Sequence, residues 1–241
     1  MCIFLEKLNF CSGFSFENYF YLPNMAKSPR FVLIAAVLYA LPLFSCTPDV
    51  ESNDEGDNIE NYRIVKIGTQ TWMAENLNYN ISGSKCYDND EANCAIYGRL
   101  YDWATAMALP DSCNSKICVS QILEQHRGIC PKGWHIPSDD DWRVLTKFVG
   151  KNAGTQLKAT SYWNSYDGIS SGEDTYDFAA LPGGWGDSNG SFNSIGNGGY
   201  WWSSLEISVN YASYRGMYYG LESVNEGYGK SYFHSIRCLQ D

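Results

Sequence analysis

The sequence predicts an α+β domain in which two helices pack on a twisted antiparallel β-sheet. Three observations point there. Asp139–Val149 carries a short amphipathic helix complete with its own start and stop signals. A second helical pattern lies upstream, at Gly98–Leu109. From Tyr162 to Asp241 the periodicity changes: the chain becomes rich in Tyr, Trp, Gly, Ser and Asn, with short alternating runs between turn clusters. Helices followed by a run of strands, rather than alternating with them, is the α+β order.

Composition bounds the rest. The chain has 241 residues, 44% hydrophobic and 15% aromatic, enough for one sizeable domain of ~180 residues with a real core. Its formal charge is −10, with only 17 Lys and Arg. Nucleic-acid phosphates need a basic footprint, so no nucleic-acid partner is expected. No GxSxG, HExxH or P-loop is present. The carboxylate pairs Glu173–Asp174 and Asp139–Asp140 are sequence neighbours, and nothing places them across a cleft as acid and base. The reading is therefore non-enzymatic, with no catalytic residue, cofactor or metal.

The N-terminal quarter divides by composition. Residues 1–24, ahead of Met25, read as an extension outside the functional protein. Residues 25–45 read as a signal peptide: Lys27 and Arg30 precede an apolar run, Phe31–Phe44, of 14 residues. A membrane span needs ~20. The run ends in Leu43-Phe44-Ser45-Cys46, which resembles the lipobox of bacterial lipoproteins and marks Cys46 as the lipid-bearing residue and the membrane anchor. Residues 46–61 form an acidic tether, with six acidic and no basic residues between Asp49 and Glu60. Its position resembles the export signals that send some lipoproteins to the outer surface; a plain spacer is the alternative. The expected location is the outer membrane of a bacterial envelope.

Residues 62–241 form the domain. Tyr62–Met73 alternates around Gly68-Thr69 and reads as a hairpin. Cys86–Cys94 brackets a polar loop. Within Gly98–Leu109, Leu100, Trp103, Ala104 and Met107 fall at i, i+3, i+4 and i+7, and Pro110 ends the pattern. In the second helix Ser138 is the N-cap and Asp141 the reciprocal capping-box residue. Trp142, Leu145, Phe148 and Val149 make its inward face, and Gly150 follows as C′. Asp139, Asp140 and Asp141 complement the helix dipole; the alternation of an EF-hand loop is missing, so capping is preferred to calcium binding. Gly154–Thr160 reads as a short helical turn. Phe178–Trp185, Tyr200–Leu205, Tyr211–Tyr219 and Ser231–Leu239 read as strands, separated by clusters such as Asp187-Ser188-Asn189-Gly190.

Of nine cysteines, Cys2, Cys11 and Cys46 precede the domain, which leaves six. An even set in an exported chain implies disulfides, with fifteen connectivities open. Spacing narrows them: Cys86–Cys94 and Cys113–Cys118 each close a local loop, which leaves Cys130 with Cys238. That last bridge closes ~100 residues and contributes up to ~4.7 kcal/mol in the chain-entropy model. No CxxC pair or Cys/His cluster favours zinc instead.

A resemblance covers nearly the whole domain. Cys130–Trp142 (CPKGWHIPSDDDW), Trp72–Leu77, Tyr97–Trp103, Ala180–Trp185, Gly199–Ser204 and the terminal SIRCLQD together resemble the Fibrobacter succinogenes major paralogous domain. That family is similar in sequence pattern to the C-type-lectin-like superfamily, which also holds the formylglycine-generating enzymes. The resemblance implies a C-type-lectin-like α+β fold on a bacterial envelope protein, and a terminal-strand disulfide; it supplies no activity. Glu-Pro-Asn and Trp-Asn-Asp triplets, which would mark calcium-mediated sugar binding, are absent. The expected function is a binding or adhesion module for a glycan or a surface protein. Trp163, Trp185, Trp202 and Tyr218 are the candidate ligand-binding rings, since large amphipathic rings dominate recognition surfaces. A structural envelope component without diffusible ligand, and an enzyme relative, are the alternatives.

Overall fold

A computed structural model describes residues 59–165 and 172–241. The segments read above as an N-terminal extension and a signal peptide, the proposed lipid-bearing Cys46 and most of the segment read as a tether lie outside the described residues. Among the described residues no helix is long and apolar enough to cross a membrane.

The hairpin forms where the alternation put it: β1 (Ile64–Ile67) pairs antiparallel with β2 (Gln70–Met73), with Ile67 opposite Gln70. The far end of the chain, β10 (Leu239–Gln240), joins the free edge of β2, and β3 (Trp134–His135) joins β10. The first sheet thus has the order β1-β2-β10-β3, and it splices the domain's two ends together. The three expected disulfides are all present; Cys130–Cys238, with Cα atoms 5.9 Å apart, pins this splice.

The upstream helix differs from expectation. In place of one helix over Gly98–Leu109 there are two short ones, α1 (Glu91–Tyr97) and α2 (Trp103–Ala106). Each has an aspartate N-cap: Asp90 accepts from the Ala92 N–H, and Asp102 from the Thr105 N–H. Gly98 lies between them at φ 74, with Asn76 Cβ only 2.8 Å from where its own Cβ would be, so the chain must turn out of the helix there. Leu100 and Tyr101 are extended, bridged to Lys85 and His234. The apolar spacing was satisfied by strand-like pairing rather than by a helix face, a case of tertiary contacts overriding periodicity.

Helix α3 (Asp139–Val149) has the expected start. Ser138 Oγ accepts from the Asp141 N–H at 3.2 Å, and Asp141 Oδ2 accepts from the Ser138 N–H at 2.9 Å. Trp142, Leu145 and Val149 are buried, but Phe148 is 54% exposed. It leans across the hairpin turn at Gly68 and meets Tyr176 edge-on instead of entering the core. Asp139 pairs with Arg215 and Asp140 with Arg143, so the three carboxylates point to separate partners. A short α4 (Ala153–Leu157) follows.

The second sheet runs β5 (Phe192–Ile195), β4 (Gly183–Asp187), β6 (Gly198–Glu206), β7 (Ala212–Tyr218), β8 (Val224–Tyr228), with β9 (Tyr232–Phe233) also on β4. The expectation of a purely antiparallel sheet is corrected: β4 and β6 are parallel at Gly184 and Gly199. The expectation of two helices is corrected too, since four α-helices lie among the described residues. Along β6, Trp201 and Trp202 point to opposite faces, and both are completely buried. The strand is a central one with core on each side. Trp201 packs with Trp142, Leu145 and Phe178 and Trp202 with Trp103, Trp134 and Ile236. Their indole N–H groups donate to Asn76 Oδ1 and to the Tyr101 carbonyl.

A buried ion pair closes one end of β6. Lys230 Nζ donates to Glu206 and to the Cys113 and Lys116 carbonyls, over the Trp103 ring, while Glu206 accepts from the Cys118 N–H. This holds the Cys113–Cys118 loop on the sheet. Lys230→Met, which strands the Glu206 charge, is expected to cost ~3–5 kcal/mol in denaturant unfolding, and adding Glu206→Gln recovers most of that loss.

His135 couples the ends electrostatically. Burial draws its pKa down, but Asp141 and Asp241 (Nδ1 to Oδ1 2.8 Å) outweigh burial and leave it raised. A raised value means a contribution fully present below the unfolded ~6.5 and lost as pH rises through the folded value. Denaturation series between pH 5.5 and 8.5 should show that decline, and His135→Asn should remove it.

Candidate functional site

Two surfaces stand out: a polar cleft and an aromatic ledge. The cleft, of about 620 Å³, lies among the end of β2, the end of α1 and the segments 159–162 and 174–181. Its wall is built on strained backbone. Tyr162, Asp174 and Ala179 all line it, at φ 71, 46 and 50. Left-handed residues other than glycine cost of order 1 kcal/mol or more each and persist only where neighbours hold them. The holding groups are visible. Asp174 Oδ1 accepts from the Ala179 N–H at 2.6 Å. Behind the wall, Arg237 is fully buried and donates to the Phe178 and Ala179 carbonyls and to Asn76 Oδ1. Burial lowers the Arg237 pKa to about 9, which leaves it charged at neutral pH. Burial raises the Asp174 pKa and the nearby Asp177 carboxylate adds to that, while the Ala179 N–H, Arg237 and Arg63 pull it back in part. At the rim, Arg63 Nε meets Glu75 at 2.8 Å.

The ledge is a run of rings across the second sheet. Trp185 meets Tyr232 at 4.9 Å, and Tyr232 meets His234 at 5.7 Å. His234 touches Tyr214 at 4.4 Å and stacks on Tyr200, which in turn meets Tyr218 at 5.5 Å. Glycines make room for this. Gly216 faces Tyr200 and Gly227 faces Tyr214, and a Cβ at Gly227 would come within 2.3 Å of the Tyr214 ring. Trp185, Tyr214, Tyr218 and Tyr232 are half-buried; Tyr200 and His234 are buried beneath them. Burial holds the His234 pKa down at about 3, so its imidazole is a neutral filler between rings. Burial likewise pushes Tyr214 up to about 12, which keeps its phenol protonated.

Of the four candidate rings, two are where a ligand can reach them. Trp185 and Tyr218 sit on the ledge. Trp202 is completely buried, and Trp163 is 7% exposed, with its indole N–H on the Ala180 carbonyl and Lys158 over its ring. Both belong to the core, and their assignment as ligand-binding residues is corrected. Sequence reasoning missed Tyr232 and the cleft group Arg63, Glu75 and Tyr162. Asp174 is paired in sequence with Glu173, but its hydrogen bond is to the Ala179 N–H, and the cations that influence it, Arg63 and Arg237, are distant in sequence. Cys86, Cys94 and Glu91 also cluster, but the two sulfurs are bonded to each other at 2.02 Å and Glu91 pairs with Arg99, so they offer no thiolates.

Comparison with known proteins supplies the family. A family model described as the Fibrobacter succinogenes major domain matches residues 65–240, well over half of the chain. No curated protein and no solved structure matches. The matched span starts inside β1, ends with β10 and takes in all three disulfides, the ledge and the cleft apart from its residues 61–63. The chain belongs to the Fibrobacter succinogenes major domain family.

Proposed function

We propose that the protein is a non-enzymatic binding module of the bacterial outer membrane, anchored through a lipid on Cys46, and that its ligand is a glycan. One observation carries the reading: Trp185, Tyr232, Tyr214 and Tyr218 present half-open rings on one sheet face, each held by rings or backbone beneath it. The apolar face of a sugar stacks on such rings, and rings that are already fixed lose little entropy on binding. A C-type-lectin-like fold belongs to the same reading. It is supported by the splice of the domain's first hairpin to its last strand and by the Cys130–Cys238 bridge beside it. The ordered disulfides suit an oxidising compartment, which accords with an exported lipoprotein.

Glycan-array binding in the presence of a chelator tests this. Binding to extended polysaccharides is expected, and Trp185→Ala and Tyr218→Ala should each weaken it about tenfold, the ~1.4 kcal/mol of one stacked ring. Array silence, or full binding by both variants, refutes the ledge. Mass spectrometry of native protein should find the lipid on Cys46; an unmodified thiol there refutes the anchor.

A further inference from the structure

We propose that the cleft between β2, α1 and the 174–181 segment is a second, calcium-independent site, which takes a single neutral pyranose ring. The proposal rests on the glycan-binding reading but not on the ledge.

Charge decides the ligand class first. Arg63 pairs with Glu75 at the rim, and Asp174 accepts from the Ala179 N–H while the buried Arg237 guanidinium, behind the floor, donates to the Ala179 carbonyl. Each charge the cleft presents thus already has a partner, and carboxylates outnumber cations along the lining. A charged ligand would have to compete with one of these pairs or be repelled by the other member. A neutral ligand that offers hydrogen bonds meets no such penalty.

Free hydrogen-bonding capacity decides next. Among the described residues, Asp174 accepts a hydrogen bond only through Oδ1, from Ala179, and Glu75 engages only Oε1. A carboxylate has room for about four such bonds. Arg63 uses Nε and one terminal nitrogen, which leaves donors over. Thr160 and Ser161 add hydroxyls to the lining. Acceptors beside donors, at a spacing set by a rigid wall, suit the adjacent hydroxyls of a sugar.

Tyr162 supplies the apolar half. It is 53% exposed at the lip, and the edge of Tyr97 braces it at 5.8 Å. A bulky aromatic in left-handed backbone is an outlier, and here the unusual φ belongs to a ring that lines the cleft. One face for stacking and a polar wall for hydroxyls is what a pyranose requires. The cleft volume of about 620 Å³ lies within the usual range for small-molecule sites.

The test uses the full chain with EDTA present and free glucose, galactose, mannose and N-acetylglucosamine as probes, read by saturation-transfer NMR and calorimetry. At least one should bind with a Kd of about 1–10 mM. Asp174→Asn should weaken that binding at least about tenfold, because it puts a donor where an acceptor was. The variant should fold normally, since asparagine tolerates left-handed backbone and its carbonyl can still accept from Ala179. Tyr162→Ala should weaken binding comparably, and Trp185→Ala should leave it unchanged. Near-UV circular dichroism serves as the folding control. Glucuronic acid and glucosamine should bind several-fold more weakly than their neutral counterparts.

Silence across the neutral panel overturns the proposal. So does unaltered binding by Asp174→Asn and Tyr162→Ala, or preference for a charged sugar. If Trp185→Ala abolishes monosaccharide and polysaccharide binding together, the cleft is not the site and the ledge alone stands. If the ledge variants bind polysaccharide normally while the Asp174 variant loses monosaccharide, the ledge falls and the cleft stands.

Discussion

The structure turns on the satisfaction of one buried cation. Arg237 is fully buried one residue before Cys238, with Phe178 and Trp201 within reach of its guanidinium face. A buried charge without partners is strongly destabilising, so the chain around it must supply acceptors. It does so for the two terminal nitrogens, with two backbone carbonyls, Phe178 and Ala179, and with Asn76 Oδ1, while Nε has no partner among the described residues. Asn76 is the hub of the next shell: it accepts from the Trp201 indole and donates to the Tyr97 carbonyl and to Ser235. One guanidinium and one amide therefore fix the end of β2, the end of α1, the 174–181 segment and strand β6 relative to one another. The left-handed backbone at Asp174 and Ala179 is affordable only because that network over-determines it.

The disulfide next to Arg237 works on the other side of the equilibrium. Cys130 and Cys238 are 108 residues apart, and joining them removes much of the freedom of the unfolded chain. It also brings β3 and β10 together, where each has only two residues and little pairing of its own. Covalent closure and the Arg237 network therefore reinforce each other. The bridge brings the last strand to β3, and the guanidinium fixes how that strand sits against the core.

Local signals were legible in the sequence, and long-range ones were not. The α3 cap, the hairpin turn and the cystine pairings each depend on residues close in sequence or on a count, and all were readable. Gly98–Leu109 misled because its apolar spacing fits a helix, whereas the deciding facts are the backbone bridges from Leu100 to Lys85 and from Tyr101 to His234. The two-residue strands β3 and β10 carry no periodicity to detect. Trp202 and Trp185 look alike in sequence, each a tryptophan in an interior strand, and only what packs on each face separates a ring buried in core from one that is half-open. The cleft was illegible for a related reason. Arg63, Glu75, Tyr162 and Asp174 converge from three parts of the chain, and none belongs to a motif.

If the proposed binding reading holds, the ledge and the cleft are recognition surfaces whose geometry is set in advance. In both, the groups that face outward are positioned by groups that do not. Tyr214 lies against Gly227 and over a neutral His234, and Asp174 is oriented by the Ala179 amide with Arg237 behind it. Neutral His234 matters here. A protonated imidazole would place an unsolvated charge among four rings, and burial prevents it. The rings can therefore pack as one apolar layer whose geometry is set before any ligand arrives. Under the proposed reading, binding there would cost little ordering of the protein, which is the condition under which weak, shallow contacts to a polar ligand yield measurable affinity.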